Sequence, residues 1–298
     1  MNKETRKQQI LKIKNNEKPI GRIDIPWKDK LEPMDVYQIP LDFLIFNKYN
    51  GRILSRTKSL ENQHKLINPE TEEGKKLIEG LLYDSKPQKN EETLKSLTKL
   101  GQEKVGIITE DGIIIDGNRR AMLLNRIPQI DYFKAIILPV EYDGNPLEIE
   151  KFETKYQLGE ERKLDYNPIE IYLKIQQLYT RISNKKYKRD DIDKEAVKRI
   201  YEWVGNYKNI NTENDIVFTL DVMNTMDDYL DRFEYNGFYT ALDKREEQFR
   251  RLTDWVINFT KVEGSGKAFD GYSSLDVDDL RFIAYDLIRI RYKNEKFR

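Results

Sequence analysis

Apolar positions are scattered up to Asp35 and become regular after it. Val36, Ile39, Leu41, Phe43, Leu44, Ile45 and Phe46 form a short run that reads as a strand and turn, leading into Asn47-Lys48-Tyr49-Asn50-Gly51-Arg52. Between 68 and 100, Leu77, Ile78, Leu81 and Leu82, then Leu94, Leu97 and Leu100, recur at helical spacing. That spacing predicts two amphipathic helices, with Gly101 as the C-terminal cap of the second. Val105 to Thr109 reads as a strand, Glu110-Asp111-Gly112 as a hairpin turn, and Ile113-Ile114-Ile115 as a second strand. Asp116-Gly117-Asn118-Arg119-Arg120 then runs into a helix starting near Ala121, and residues 134–142 form another apolar strand.

Beyond the turn Asp143-Gly144-Asn145-Pro146 nearly everything reads as helix. A charged helix begins near Leu147. Asn167-Pro168 opens the next, since an Asn cap with Pro in the first turn is a strong start signal. Further helices are predicted over 190–205, 213–233, 243–262 and 276–293, with Glu263 to Lys267 as the linker between the last two. No internal repeat or low-complexity tract interrupts the pattern. The predicted fold class is α+β: a small α/β N-terminal domain over 36–160 followed by an all-α region over 161–298.

Residues 1–35 read as a basic arm, carrying Lys3, Arg6, Lys7, Lys12, Lys14, Lys18, Arg22, Lys28 and Lys30, with Pro19, Pro26 and Pro33 breaking any long helix. Such an arm can touch nucleic-acid phosphates, although solvated termini often look the same. Across all 298 residues, 52 Lys and Arg balance 52 Asp and Glu, so the formal net charge is zero. Neutrality excludes a uniformly basic nucleic-acid coat and makes any phosphate site local. The 18 Tyr, 12 Phe and 3 Trp supply enough apolar bulk to argue against global disorder. With no Cys there is no disulfide, thiolate metal site or Cys nucleophile, and the single histidine, His64, cannot alone form a usual zinc site. Metal chemistry would have to use carboxylates and phosphate oxygens around a hard cation such as magnesium. The polar N-terminus and the lack of a run of ~20 apolar residues point to a soluble, cytoplasmic protein with no membrane partner.

The stretch from Asp116 to Arg120 concentrates the chemistry. Gly117 at a strand-to-helix junction lets the backbone approach an anion with no Cβ in the way. Arg119 and Arg120 add planar, permanently charged donors suited to phosphate oxygens. The bland alternative is a surface loop whose arginines pair with nearby carboxylates.

IIIDGNRRAMLLNRI resembles the GxRR box of the ParB/sulfiredoxin-like superfamily, in which that turn and helix hold nucleotide phosphates. Upstream, Ile39-Pro40-Leu41-Asp42 with Asn47-Lys48-Tyr49-Asn50 is similar to the family's opening strand and NP turn, without the proline. Downstream, Glu161-Arg162-Lys163-Leu164-Asp165-Tyr166-Asn167-Pro168-Ile169-Glu170 is similar to the ParB segment running from ENxxR to LNPIE. Order and approximate spacing agree over residues 36–180. The resemblance implies that Gly117, Asn118, Arg119 and Arg120 contact a nucleoside triphosphate and that Arg162 lies near it. The paired Glu-Asn linked to metal and hydrolysis in ParB proteins falls on Leu158 and Gly159, so nucleotide binding carries over better than hydrolysis. Glu160 and Glu161 could serve from a shifted register, and Asp116 and Glu170 are further carboxylates for orienting water or metal. Sulfiredoxin activity is out, because its turn box needs a cysteine.

ParB proteins follow the second box with a helix-turn-helix DNA reader. Here Ile200 to Gly205 could form a first helix and turn, but the next helix carries Asp215, Asp221, Asp227, Asp228 and Asp231 against Arg232 alone. DNA phosphates repel such a helix, and its Ile216, Val217, Leu220, Met223, Met226 and Leu230 read as core. Two local basic features remain: Lys185, Lys186, Lys188 and Arg189, and the C-terminal Arg289, Arg291, Lys293, Lys296 and Arg298 interleaved with Tyr292 and Phe297. The leading expectation is a ParB-like protein that binds CTP or ATP, with magnesium, as a slow NTPase in DNA-related processes such as partition, mobile elements or phage defence. A ParB-like nuclease, a small-molecule phosphotransferase and a noncatalytic interaction module are the alternatives. DNA could be met through the basic arm or the C-terminus. Homodimerisation is common among the relatives, but no heptad pattern supports it here. No residue pattern specifies a nucleobase pocket.

Overall fold

In the computed structural model, residues 1–63, 66–156, 167–205, 207, 210–260 and 274–290 are described. They form an α+β unit built on a five-stranded sheet and a second, all-helical unit. The first unit comprises Met1–Tyr166 with Tyr201–Asn211, and the second Asn167–Ile200 with Thr212–Arg298.

The first unit begins with helix α1 (Lys3–Asn16), then strands β1 (Gly21–Trp27) and β2 (Lys30–Pro40). Helices α2 (Leu54–Asn62), α3 (Glu72–Ser85) and α4 (Pro87–Leu100) come next. Strands β3 (Gly106–Ile108) and β4 (Ile114–Asp116) lead to α5 (Asn118–Leu124), followed by β5 (Tyr132–Ile137) and α6 (Pro146–Thr154). The sheet order is β1-β2-β5-β3-β4, with β5 and β3 parallel and every other neighbour antiparallel.

The apolar runs of the central strands reflect a sheet covered on both faces. Tyr37, Ile39, Ile108, Ile114, Phe133, Ala135 and Ile137 point to one core, shared with α1, α3 and α5. Val36, Ile107, Ile115 and Ile136 point to the other, where Phe152 of α6 meets Trp27 edge-on at 5.2 Å. The Glu110-Asp111-Gly112 turn closes the β3–β4 hairpin, with Gly112 at φ 84° and its N–H donating to the Thr109 carbonyl at 3.0 Å.

The segment read from sequence as an arm is instead folded into this unit. Ile10 and Ile13 of α1 lie in the core beside a guanidinium, Arg6, that is 2% exposed. Its Nε donates to the Asp111 carbonyl at 2.7 Å and its other arm reaches Glu70 at 2.7 Å. β1 pairs with β2 along its whole length, from Gly21 opposite Val36 to Trp27 opposite Lys30. Both prolines fit. Pro26 lies on the edge strand, and Pro33 precedes Val36, where pairing of β2 with β5 begins. The 36–160 boundary therefore moves to the N-terminus, and residues 201–211 join the same unit.

The β1–β2 turn places Lys28 and Asp29 at positive φ, 51° and 62°. Asp29 accepts hydrogen bonds from Lys151 at 2.5 Å and Lys155 at 2.6 Å, clamping the hairpin to α6. These bonds, Lys151's first, hold the Asp29 carboxyl down to about 2. Because its folded value is the depressed one, the clamp contributes at neutral pH and is lost as pH falls from about 4 through about 2. The side chain is half exposed, so solvent screens the pair. Asp29→Asn is expected to lower Tm by about 1–3 °C at neutral pH and by much less near pH 2. An equal loss at both pH values in thermal melts would contradict the clamp.

The second unit contains α7 (Pro168–Ser183), part of α8 (Lys194–Val204), α9 (Glu213–Arg232), α10 (Glu246–Thr260) and α11 (Ser274–Arg289). Asn167 caps α7 by accepting from the Ile169 N–H, with Pro168 in the first turn. α9 packs on α7 and α10, and α10 on α11. Tyr229 of α9 gathers Phe233, Phe249 and Tyr285 edge-on at 5.0, 5.1 and 5.7 Å. The apolar stripe of α9 is core, as its spacing predicts, and Asp221 is buried against Tyr187 and Arg189. Among the described residues no helix is long and apolar enough to cross a membrane.

Candidate functional site

The strand-to-helix junction is set by one aromatic ring and two glycines. β4 ends at Asp116, Gly117 takes φ 101° and ψ 12°, and α5 starts at Asn118. Beneath the turn lies the fully buried ring of Phe133. A Cβ on Gly117 would stand 2.6 Å from that ring, and one on Gly106 2.2 Å from it. The backbone therefore lies directly on the sheet.

Asn118 joins this turn to the loop that precedes α2. It is 2% exposed, its Oδ1 accepts from the Asn47 N–H at 2.9 Å, and its Nδ2 donates to the Ile114 carbonyl at 3.0 Å. The loop is shaped by its own amides, with Asn47 Oδ1 accepting from the Tyr49 N–H at 3.0 Å and Asn50 Oδ1 from the Arg52 N–H at 3.2 Å. Lys48 ties it to Glu61 at 2.7 Å. The Asn47–Asn50 loop and the Gly117 turn are thus neighbours. The Asn118 side chain, expected to contact phosphate, is spent on this joint, which leaves its backbone N–H as the donor it can offer an anion.

A cleft of about 310 Å³ opens at the junction. One wall is the turn, Asp116 to Arg120, and beside it stand Asn50 and Arg52 from the loop. Lys89, Glu92 and Thr93 of α4 also line it, as does Lys104, whose ammonium lies 5.7 Å from the Tyr156 ring. Five cations therefore face two carboxylates. Arg119 is 8% exposed. Arg120 is oriented by Asp116, Nη2 to Oδ2 at 2.6 Å, and reaches the Val105 carbonyl at 3.5 Å. Asn47 Nδ2 and Arg120 Nε are buried without a hydrogen-bond partner. The excess of cations over carboxylates among the described lining residues favours an anion.

Of the carboxylates proposed for catalysis, Asp116 lines the cleft but is committed to Arg120. Glu160 and Glu161, like Arg162 and His64, lie outside the described residues. Glu170 belongs to the second unit, at the start of α7. Magnesium fits poorly here. The cleft offers a paired Asp116 and the exposed Glu92 among five cations, and no group of three acidic or histidine side chains among the described residues could hold a metal.

Sequence reasoning passed over Lys89, Thr93 and Lys104. The first two, on α4, look like part of an ordinary solvated helix face, and the packing of α4 against α5 brings them to the turn; Lys104 lies between α4 and β3. The arm's charge, by contrast, is largely spent within the chain. Lys3 meets Asp143 at 3.1 Å, Lys7 meets Glu141 at 2.5 Å, Lys14 meets Glu110 at 3.5 Å and Arg22 meets Asp35 at 2.7 Å. In the second unit Lys185 pairs with Asp191 at 2.8 Å and Arg189 with Asp221. Arg289 lies over the Phe233 ring at 4.6 Å; the rest of the C-terminal basic run is outside the described residues. No family model matches the chain, and no curated protein matches it.

Proposed function

We propose that this chain is a nucleotide-binding protein of the ParB/sulfiredoxin-like kind, with the phosphates of CTP or ATP held in the cleft at Gly117–Arg120. The observation that carries the reading is the convergence of Arg52, Lys89, Lys104, Arg119 and Arg120 on one cleft beside a glycine turn. Gly117 lets the turn lie directly on the Phe133 ring, and Asp116 fixes one guanidinium before the ligand arrives, which lowers the ordering cost of binding. Arg119 supplies a second planar donor, and the cations of the loop, α4 and Lys104 approach from other directions.

Hydrolysis, the slow NTPase part of the reading, would draw its carboxylate from Glu160 or Glu161 by resemblance, since Asp116 already balances Arg120. The resemblance extends the proposal to DNA-related processes, with nucleotide state as the signal rather than base reading by the acidic α9.

Isothermal titration of ATP and CTP, with and without magnesium, tests this. Wild type binds, affinity falls with added salt, and Arg119→Ala weakens binding by about 10- to 100-fold, the worth of a charged hydrogen bond. Absence of binding by either nucleotide, or identical affinity in the variant, would overturn the proposal.

A further inference from the structure

We infer that the outer edge of β1 pairs with the same strand of a second copy of this chain, antiparallel about a two-fold axis at Ile23, joining two sheets into one. This surface is separate from the phosphate cleft: β1 is one edge of the sheet, and the glycine turn follows β4 at the other. The β4 edge is only three residues long, and Ile45 already bridges to Ile113 beside it. β1 runs for seven residues, and among the described residues no strand pairs with its outer side. Such an edge presents unpaired N–H and C=O groups to another strand.

A proline fixes which groups face outward. Asp24 lies opposite Pro33, which has no N–H, so these two cannot be a pair that exchanges both hydrogen bonds. Alternation along the antiparallel ladder then turns the N–H and C=O of Arg22 and Asp24 to the open edge. An axis at Asp24 sets Asp24 against its own copy, and an axis at Arg22 sets Arg22 against its own; like charges directly opposite are destabilising. An axis at Ile23 instead sets each Arg22 against Asp24 of the second copy, and each such pair exchanges two backbone hydrogen bonds. Arg22 already donates to Asp35 at 2.7 Å, so in the dimer it lies between two carboxylates. The same register brings Ile20, 50% exposed, against Pro26 of the second copy, which itself lies opposite Leu31, 71% exposed, on β2. Both ends of the joint therefore cover apolar side chains that otherwise stand in water. On the other face Ile23 meets its own copy, extending the apolar row in which Ile23 and Met34 already pack on the core beside α6. Pro26 has no N–H to give, so the ladder stops at Arg22 and Asp24 and the joint is small, in the size class of weak dimers.

Sedimentation equilibrium of the full chain over a concentration series tests the inference. Wild type is expected to dimerise with a dissociation constant of about 1–100 µM, and more weakly as salt is added. Asp24→Lys, at an exposed position that the fold tolerates, sets a cation against Arg22 and should weaken the dimer by about tenfold or more. Because the chain has no cysteine, a single introduced thiol reads the register directly. Facing residues of a non-hydrogen-bonded pair lie about 4.5 Å apart at Cα, within disulfide reach. With diamide as oxidant, Ile23→Cys should therefore form a covalent dimer about tenfold or more faster than Leu31→Cys, an exposed position away from the axis. A monomer at every concentration up to about 1 mM, or Asp24→Lys dimerising as wild type does, would overturn the inference. Cross-linking of Ile23→Cys no faster than that of Leu31→Cys would overturn it too. Each of these outcomes leaves the phosphate cleft to its own titration.

Discussion

Replacing Gly117 with valine is expected to destabilise the first unit by about 3 kcal/mol or more, lowering Tm by about 6–12 °C. Two costs add. At φ 101° a β-branched residue is in a region that L side chains rarely adopt, and its Cβ would stand 2.6 Å from the Phe133 ring. The ring cannot retreat, because Gly106 abuts it as well, with a virtual Cβ 2.2 Å away. Gly101→Val is the control without a wedge: φ 73° and ψ −168° also disfavour a side chain there, but nothing lies within 4 Å of a Cβ. Its loss should be smaller, about 1–3 kcal/mol from the backbone alone. If thermal melts place both variants at the same loss, the Phe133 wedge is not what sets the turn.

Arg6→Ala carries the second large effect, about 2–4 kcal/mol. The guanidinium is 2% exposed, and its removal leaves a cavity beside Ile10 and orphans the Asp111 carbonyl that it now satisfies. Its methylene Cδ would lie only 3.1 Å from a Cβ on Gly112, so the stem packs against the hairpin turn as well. Arg6→Met keeps most of the volume and loses the hydrogen bonds, and should fall between wild type and alanine in urea unfolding. If residues 1–35 behaved as a solvated arm, neither variant would change stability.

That second prediction marks where the sequence was hardest to read. α1 buries only Ile10 and Ile13 along with an arginine, so no apolar stripe announces it. α2 is silent for a related reason: besides Leu54 it buries Ser55, Thr57 and Ser59, small hydroxyl residues in place of an apolar stripe, with Ser59 donating to the Ser55 carbonyl at 2.7 Å. β1 carries Pro26 and closes on β2 through Lys28 and Asp29 at positive φ, without the glycine or asparagine that advertises a hairpin. The doubly covered strands, the Asp-Gly turn, the Asn167-Pro168 cap and the stripe of α9 were legible because each is a local signal. So was the Gly117–Arg120 turn. The opposite wall of the cleft was not, because Lys89 and Lys104 become part of a site only through long-range packing.

The most direct test of the central claim locates the ligand. Hydrogen exchange read by mass spectrometry, with saturating ATP or tripolyphosphate, should slow in peptides covering Asp116–Leu124 and the N-terminal half of α4. Peptides from α7, α9 and α10 should not change, and at the lowest ligand concentration that saturates the wild type the slowing should be clearly reduced in Arg119→Ala. Protection confined to the helical unit, or retained in full without Arg119, would contradict a phosphate site at this turn.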